Sequence, residues 1–138
     1  MIVLDTDTAS LAFREHEGVL ARLAACSDRV VLSIITRIEI LRGRFAAVQT
    51  AATAGVLLRA QAGLAKSERF LAGFEIIPID GVAAEHFDRL KSNKRLKKIG
   101  RPDLLIACVA LAGPATLVTR NTKDFALVPG LNTENWAD

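Results

Sequence analysis

Short apolar runs alternate with longer stretches of helical period along this chain of 138 residues. Ile2-Val3-Leu4, Val30-Val31-Leu32, Phe74 to Ile79 and Ala115 to Thr119 are brief, rich in β-branched residues and bounded by polar turn residues, the pattern of buried strands. Between them, Ala9 to Phe13 reads as a first helix with Thr8 or Ser10 able to cap it. His16 to Ala25 follows in helical period with Val19, Leu20, Leu23 and Ala24 on one side. Ala46 to Leu71 is Ala-rich, and Gly55, Gly63 and Gly73 make it one interrupted helix or two. Pro78 places its strand at a sheet edge or strand end, and Asp80 reads as the cap of a helix from Gly81 through Leu90. A helix over Leu104 to Gly113 comes next, and Leu127 to Trp136 reads as an irregular or edge-strand tail with Trp136 packed on the body. Strands alternating with helices predict an α/β fold: a central, mainly parallel sheet of four or five strands with helices on both faces. There is no repeat, low-complexity tract or linker, so residues 1–138 read as a single domain.

Composition narrows this picture without changing it. Hydrophobic residues make up 51% of the chain, which excludes disorder, and aromatics only 5%, so the core must be aliphatic. No apolar run approaches the roughly 18 residues that span a bilayer, and no basic segment precedes the first apolar run. The expectation is a cytoplasmic protein with no membrane partner. Cys26 and Cys108 have no metal-type spacing and sit in Ala- and Leu-rich stretches, as small buried hydrophobes do. A net charge of +3 permits a polyanionic partner but does not require one.

The chemistry lies in acids near strand and helix ends. Asp5 follows the first strand, Glu39 the second, Asp103 opens a helix, and Asp124 follows a late strand. Carboxyl ends of parallel strands, and the helix starts after them, share one edge of a sheet. These acids, 34, 64 and 21 positions apart in turn, can therefore be neighbours. Grouped carboxylates repel one another unless a cation is present, and oxygen-only ligands select Mg²⁺ or Mn²⁺. Such a site activates water against a phosphodiester. Two assignments stay open. Thr36 with Glu39 three residues later matches a capping box, yet Glu39 is also a carboxylate among Ile35, Ile38, Ile40 and Leu41, costly unless a cation meets it. Asp103, beside Pro102, also suits an ordinary helix start. His16 and His86 are isolated, and no phosphate loop, Ser-His-Asp order or paired-cysteine motif competes.

Lys91, Lys94, Arg95, Lys97, Lys98 and Arg101 bring six positive charges into eleven residues without an acid, immediately before Asp103. The run is either a solvated face or a surface for phosphate backbones.

Four motifs together carry a family resemblance: Leu4-Asp5-Thr6, Ser33-Ile-Ile-Thr36-Arg-Ile-Glu39-Ile, Gly100-Arg-Pro-Asp103-Leu-Leu-Ile-Ala107, and Thr119-Arg-Asn121-Thr-Lys-Asp124-Phe125. In order and spacing the chain resembles the PIN-domain family, in particular the VapC-type toxin ribonucleases of type II toxin–antitoxin pairs. The resemblance implies a PIN-like three-layer sandwich and a Mg²⁺- or Mn²⁺-dependent endoribonuclease with RNA as substrate. It also implies a cognate VapB-type antitoxin that inserts a C-terminal segment into the acidic groove, and a homodimer. By position, Asp5, Glu39 and Asp103 match the family's core acids and Asp124 its more variable fourth, with Asn121 nearby. Thr6 and Thr119 match polar positions that support the acids through hydrogen bonds. Many relatives carry Asn where this chain has Asp7, and Asp7 is assigned to capping the following helix in preference to charging the site. The alternative reading is a non-catalytic or DNA-directed PIN-like module.

Overall fold

Five strands, β1 (Ile2–Leu4), β2 (Val30–Ser33), β3 (Glu75–Ile77), β4 (Thr116–Val118) and β5 (Asn132–Glu134), form one sheet in the order β3-β2-β1-β4-β5 in a computed structural model describing residues 1–138. Every neighbouring pair is parallel. β1 is central and buried on both faces, as its unbroken Ile-Val-Leu run requires. β3 and β5 are the edges, which accounts for Pro78 directly after β3 and for the polar Asn-Thr-Glu of β5.

The helices are α1 (Thr6–Phe13), α2 (Glu17–Ala25), α3 (Ile34–Thr50), α4 (Ala54–Ala72), α5 (Gly81–Leu90), α6 (Arg101–Ala112) and the single turn α7 (Thr122–Phe125). Alternation along β1 splits the core in two. Val3, with Val31 and Leu117, faces a layer built by α5, α6 and Phe125 of α7. Ile2 and Leu4, with Leu32 and Val118, face α1, α2 and Leu71 of α4, and Trp136 closes this second layer.

Three expectations are corrected locally. The Ala-rich stretch is part of two helices, but the break falls at Ala51–Thr53 and not at a glycine. Thr53 Oγ1 accepts from Val56 N (3.2 Å) and starts α4, while Gly55 and Gly63 lie inside it. At Gly63 an added Cβ would stand 3.1 Å from the Arg44 guanidinium, which crosses from α3 so that its Nε donates to Ser67 Oγ (2.8 Å). The expected apolar side of α2 is mostly outward: Val19 is buried and Leu23 half-buried, but Leu20 is 40% exposed and Ala24 exposed. The first helix begins at Thr6 and is capped by Asp5, so neither Thr8 nor Ser10 caps it. Asp80 does cap α5, with Oδ1 accepting from Ala83 N at 2.8 Å.

Candidate active site

Register places the site. Leu4, Leu32 and Val118 stand level across β2, β1 and β4, so Asp5, Ser33 and Thr119 emerge side by side at one carboxyl edge. The chain leaves β1 toward β2 and β3, then crosses over to β4 on β1's other side. The edge between β1 and β4 is therefore a topological switch point, where open α/β sheets carry their ligand clefts.

Asp5 is 5% exposed and wedged between β1 and α1. Its backbone N–H donates to Val118 O (3.0 Å), extending the ladder one residue past β1. Its Oδ1 accepts from Thr8 N (2.8 Å), satisfying one free N–H of the α1 amino end. No buried side-chain polar atom lacks a partner, so Oδ2, which makes no bond within the protein, is reached by solvent and free to take a ligand. Asp7 is thus not the cap assigned to it from sequence. It lies exposed in the first turn of α1.

Glu39 is not part of a capping box. α3 starts earlier, at Ile34, because Ser33 Oγ accepts from Thr36 N (3.2 Å), and Glu39 falls in the second turn. There its Oε1 accepts a 2.6 Å hydrogen bond from Thr6 Oγ1. The Thr6 hydroxyl also lies 3.0 Å from Thr36 Oγ1. Thr6 has one hydroxyl proton and gives it to Glu39, so buried Thr36 donates to Thr6. The relay Thr36→Thr6→Glu39 ties α1 to α3 and sets the carboxylate's rotamer. Thr36, read from sequence only as a cap, is its anchor.

Asp103 sits in the first turn of α6, behind Gly100 and Pro102, as a helix start predicts. Burial pushes its carboxyl up from the usual carboxylate range. The charges of Asp5, Glu39, Asp124 and Asp7 push in the same direction, in that order. Asp103 is thus the point on which the other acids bear, and Asp7 adds its charge after all. The carboxylates do not close to ligating distance about one centre, however: no group of three meets that geometry. The donor set is nonetheless all oxygen, from four separate elements, and the crowding at Asp103 is what a hard divalent cation offsets.

On the far side, Thr119 is buried and its Oγ1 accepts from Asn121 N (3.0 Å), shaping the turn after β4. Asn121 Nδ2 donates to Asp124 Oδ2 (3.1 Å), holding the fourth acid on α7. The basic run divides. Lys91 pairs with Asp88 (2.9 Å) and lies over Phe87, and Arg101 stacks on the same ring at 4.7 Å. Lys94, Arg95, Lys97 and Lys98 instead border a cleft that reaches Asp124 and includes Lys123, a residue not singled out in the sequence.

Comparison with known proteins agrees with this architecture. The family model for the PIN domain matches residues 2–131. Ribonuclease VapC2 of Rickettsia felis is 38% identical over 93 residues, 59% of this chain and 69% of that protein. The tRNA(fMet)-specific endonuclease VapC of Salmonella typhimurium is 27% identical over 137 residues, 97% of this chain and 96% of its own. Among solved structures, VapBC2 from Rickettsia felis bound to a promoter DNA fragment superposes with a TM-score of 0.79 at 30% identity, covering 99% of both chains. No helix is long and apolar enough to cross a membrane. From its parallel sheet, its acid-bearing edge and these likenesses, this chain belongs to the PIN-domain family, in its VapC branch.

Proposed function

We propose that this protein is the toxin of a toxin–antitoxin pair, a metal-dependent endoribonuclease that hydrolyses RNA phosphodiester bonds. The observation that carries the reading is Asp103, placed at the start of α6 where four other acids converge on it, with its carboxyl pushed up first by burial and then by their charges. Asp5, Glu39, Asp103 and Asp124 would hold a Mg²⁺ or Mn²⁺ ion. A bound ion of this kind lowers the pKa of its water and neutralises charge on the leaving oxygen. The protein's own part is preorganisation. The α1 cap fixes Asp5 and leaves Oδ2 free, the Thr36→Thr6→Glu39 relay fixes Glu39, and Asn121 steadies Asp124. The named relatives are a ribonuclease and a tRNA(fMet)-specific endonuclease, and a VapBC2 complex from Rickettsia felis is seen on promoter DNA. By that likeness RNA is the substrate and a VapB-type antitoxin the partner, while a second copy of the chain as partner rests on the motif resemblance alone.

The test is cleavage of RNA and of single-stranded DNA by the purified protein with Mg²⁺, with Mn²⁺ and with EDTA, repeated for Asp5→Asn and Asp103→Asn. Cation-dependent RNA cleavage that falls at least roughly 100-fold in either variant supports the reading, an acid placed as a metal ligand being worth several kcal/mol. Cleavage that survives EDTA and both substitutions sinks the mechanism. Cleavage of DNA alone, or cation binding without cleavage of either, moves the protein to the DNA-directed or non-catalytic alternative.

A further inference from the structure

The cleft beside Asp124 has a volume of about 380 Å³, and five cations border it: Lys94, Arg95, Lys97, Lys98 and Lys123. None of the five has an ion-pair partner, whereas Lys91, Arg22, Arg29 and Arg120 each have one. The single carboxylate in its wall, Asp124, accepts from Asn121 and not from a lysine. The segment is pinned rather than loose. Asn93 Oδ1 accepts from Arg95 N (3.0 Å) to start a 3-10 turn over Lys94–Leu96, and Leu96 and Ile99 are buried in the core under α5 and α6. Five like charges held together by a folded frame repel one another, and a polyanion relieves that cost. Because the backbone frame is already ordered, the entropy lost when one binds is confined to the exposed side chains.

We propose that this cleft is a docking subsite for backbone phosphates of the RNA strand flanking the scissile bond, with Lys123 as its contact nearest the acids. The assignment rests on the ribonuclease reading above. It follows from the cleft's continuity with Asp124: a strand whose scissile phosphate lies among the acids runs its next phosphates, one charge per nucleotide, along this wall. The enzyme then grips long RNA more tightly than short RNA through contacts to regularly spaced backbone phosphates, without reading bases. Lys91 and Arg101, occupied at Asp88 and Phe87, stand outside the subsite.

The experiment measures binding of a short and a long oligoribonucleotide of one repeating sequence, in EDTA, by fluorescence anisotropy across a salt series. Lys97→Ala/Lys98→Ala/Lys123→Ala is compared with wild type, and Lys91→Ala serves as control. The triple variant is expected to lose affinity for the long RNA by on the order of 10-fold or more at low salt. Its slope of log affinity against log salt should be shallower by about 0.7 per phosphate contact removed. The short RNA and the Lys91→Ala control should change little. Circular dichroism and thermal melting show whether the triple variant is folded, and Lys→Arg at the same three positions, which keeps charge and shape, should restore the slope. Unchanged affinity and slope in a folded triple variant overturns the proposal, as does an equal loss for short and long RNA. An acidic peptide of matched charge that displaces the long RNA as well as RNA itself overturns the nucleic-acid assignment. Binding in EDTA is independent of cleavage. A protein that cuts no RNA yet shows the cleft-dependent slope defeats the ribonuclease reading alone, and one that cuts RNA without that slope defeats this subsite alone.

Discussion

Asp103 carries two opposed demands. Burial and four neighbouring carboxylates raise its carboxyl above the unfolded value, so the folded chain holds that proton more tightly than the unfolded chain does. Its contribution to stability is therefore full below the unfolded carboxylate value and is lost as pH rises through the folded one. At neutral pH the ionised group costs stability. Asp103→Asn is expected to raise the cation-free melting temperature by on the order of a few degrees while abolishing cleavage, a trade common at active sites. Mg²⁺ or Mn²⁺ should stabilise wild type more than the variant in the same thermal-shift experiment. A variant that melts lower than wild type without cation would show that Asp103 is held by contacts and not merely crowded by charge. Thr6 makes a second residue-scale case. Thr6→Val keeps the shape of α1 but breaks the relay from Thr36 to Glu39. Activity should fall roughly 10–100-fold, as for other groups that orient ligands, and stability by about 1 kcal/mol, the net worth of such a bond. Equal activity in Thr6→Val and wild type would free Glu39 from that dependence.

At the scale of elements, helix starts set the site more than helix bodies do. Asp5, Ser33 and Asp80 are all N-caps, and each receives the N–H three residues on. Only Asp80 stands apart from the acids, so Asp80→Ala isolates the energy of a cap. It should cost about 1 kcal/mol, read as a lower denaturant midpoint, with cleavage unchanged. A drop in activity as large as the Thr6→Val effect would mean that α5 feeds into the site. The capping pattern also shows why local motifs misled. Thr36 and Glu39 have the spacing of a capping box, but Ser33 has the same chance three residues earlier and takes it, since β2 ends there. Asp7 lost the cap to Asp5 for the same reason: β1 ends at Leu4, so the first residue beyond the ladder fills the capping position.

For the whole molecule, the two layers on either side of the sheet bury the cysteines unequally. Cys108 is 1% exposed in the middle of α6, and burial pushes its thiol up to about 11. At pH 8 about one molecule in a thousand carries its thiolate. Cys26, half-exposed after α2, should react with maleimide in the native protein, and Cys108 only after unfolding. Mass spectrometry of a labelling time course, with and without denaturant, checks this. Two rapid labels in the native state would mean that α6 opens far more readily than its packing implies, and α6 carries Asp103.

Four of the five strands and the mainly parallel α/β class are legible in the amino-acid sequence, as are the carboxylates that the structure brings near Asp103. Those features are written in runs and spacings of a few residues, and Asp5 and Asp103 are conspicuous because they stand at a strand end and a helix start. Which side chains meet is settled by packing across the sheet. Thr6 finds Glu39 across 33 residues and Thr8 finds the carbonyl of Val118 across 110. Lys123 shares a cleft with Lys94 to Lys98 because α7 and the basic segment belong to the same layer of the core. No local pattern encodes such pairs. They follow from strand register and from the crossover that carries the chain from β3 to β4, which bring distant parts of the chain to one edge and let charge, hydroxyl and carboxylate act on one another there.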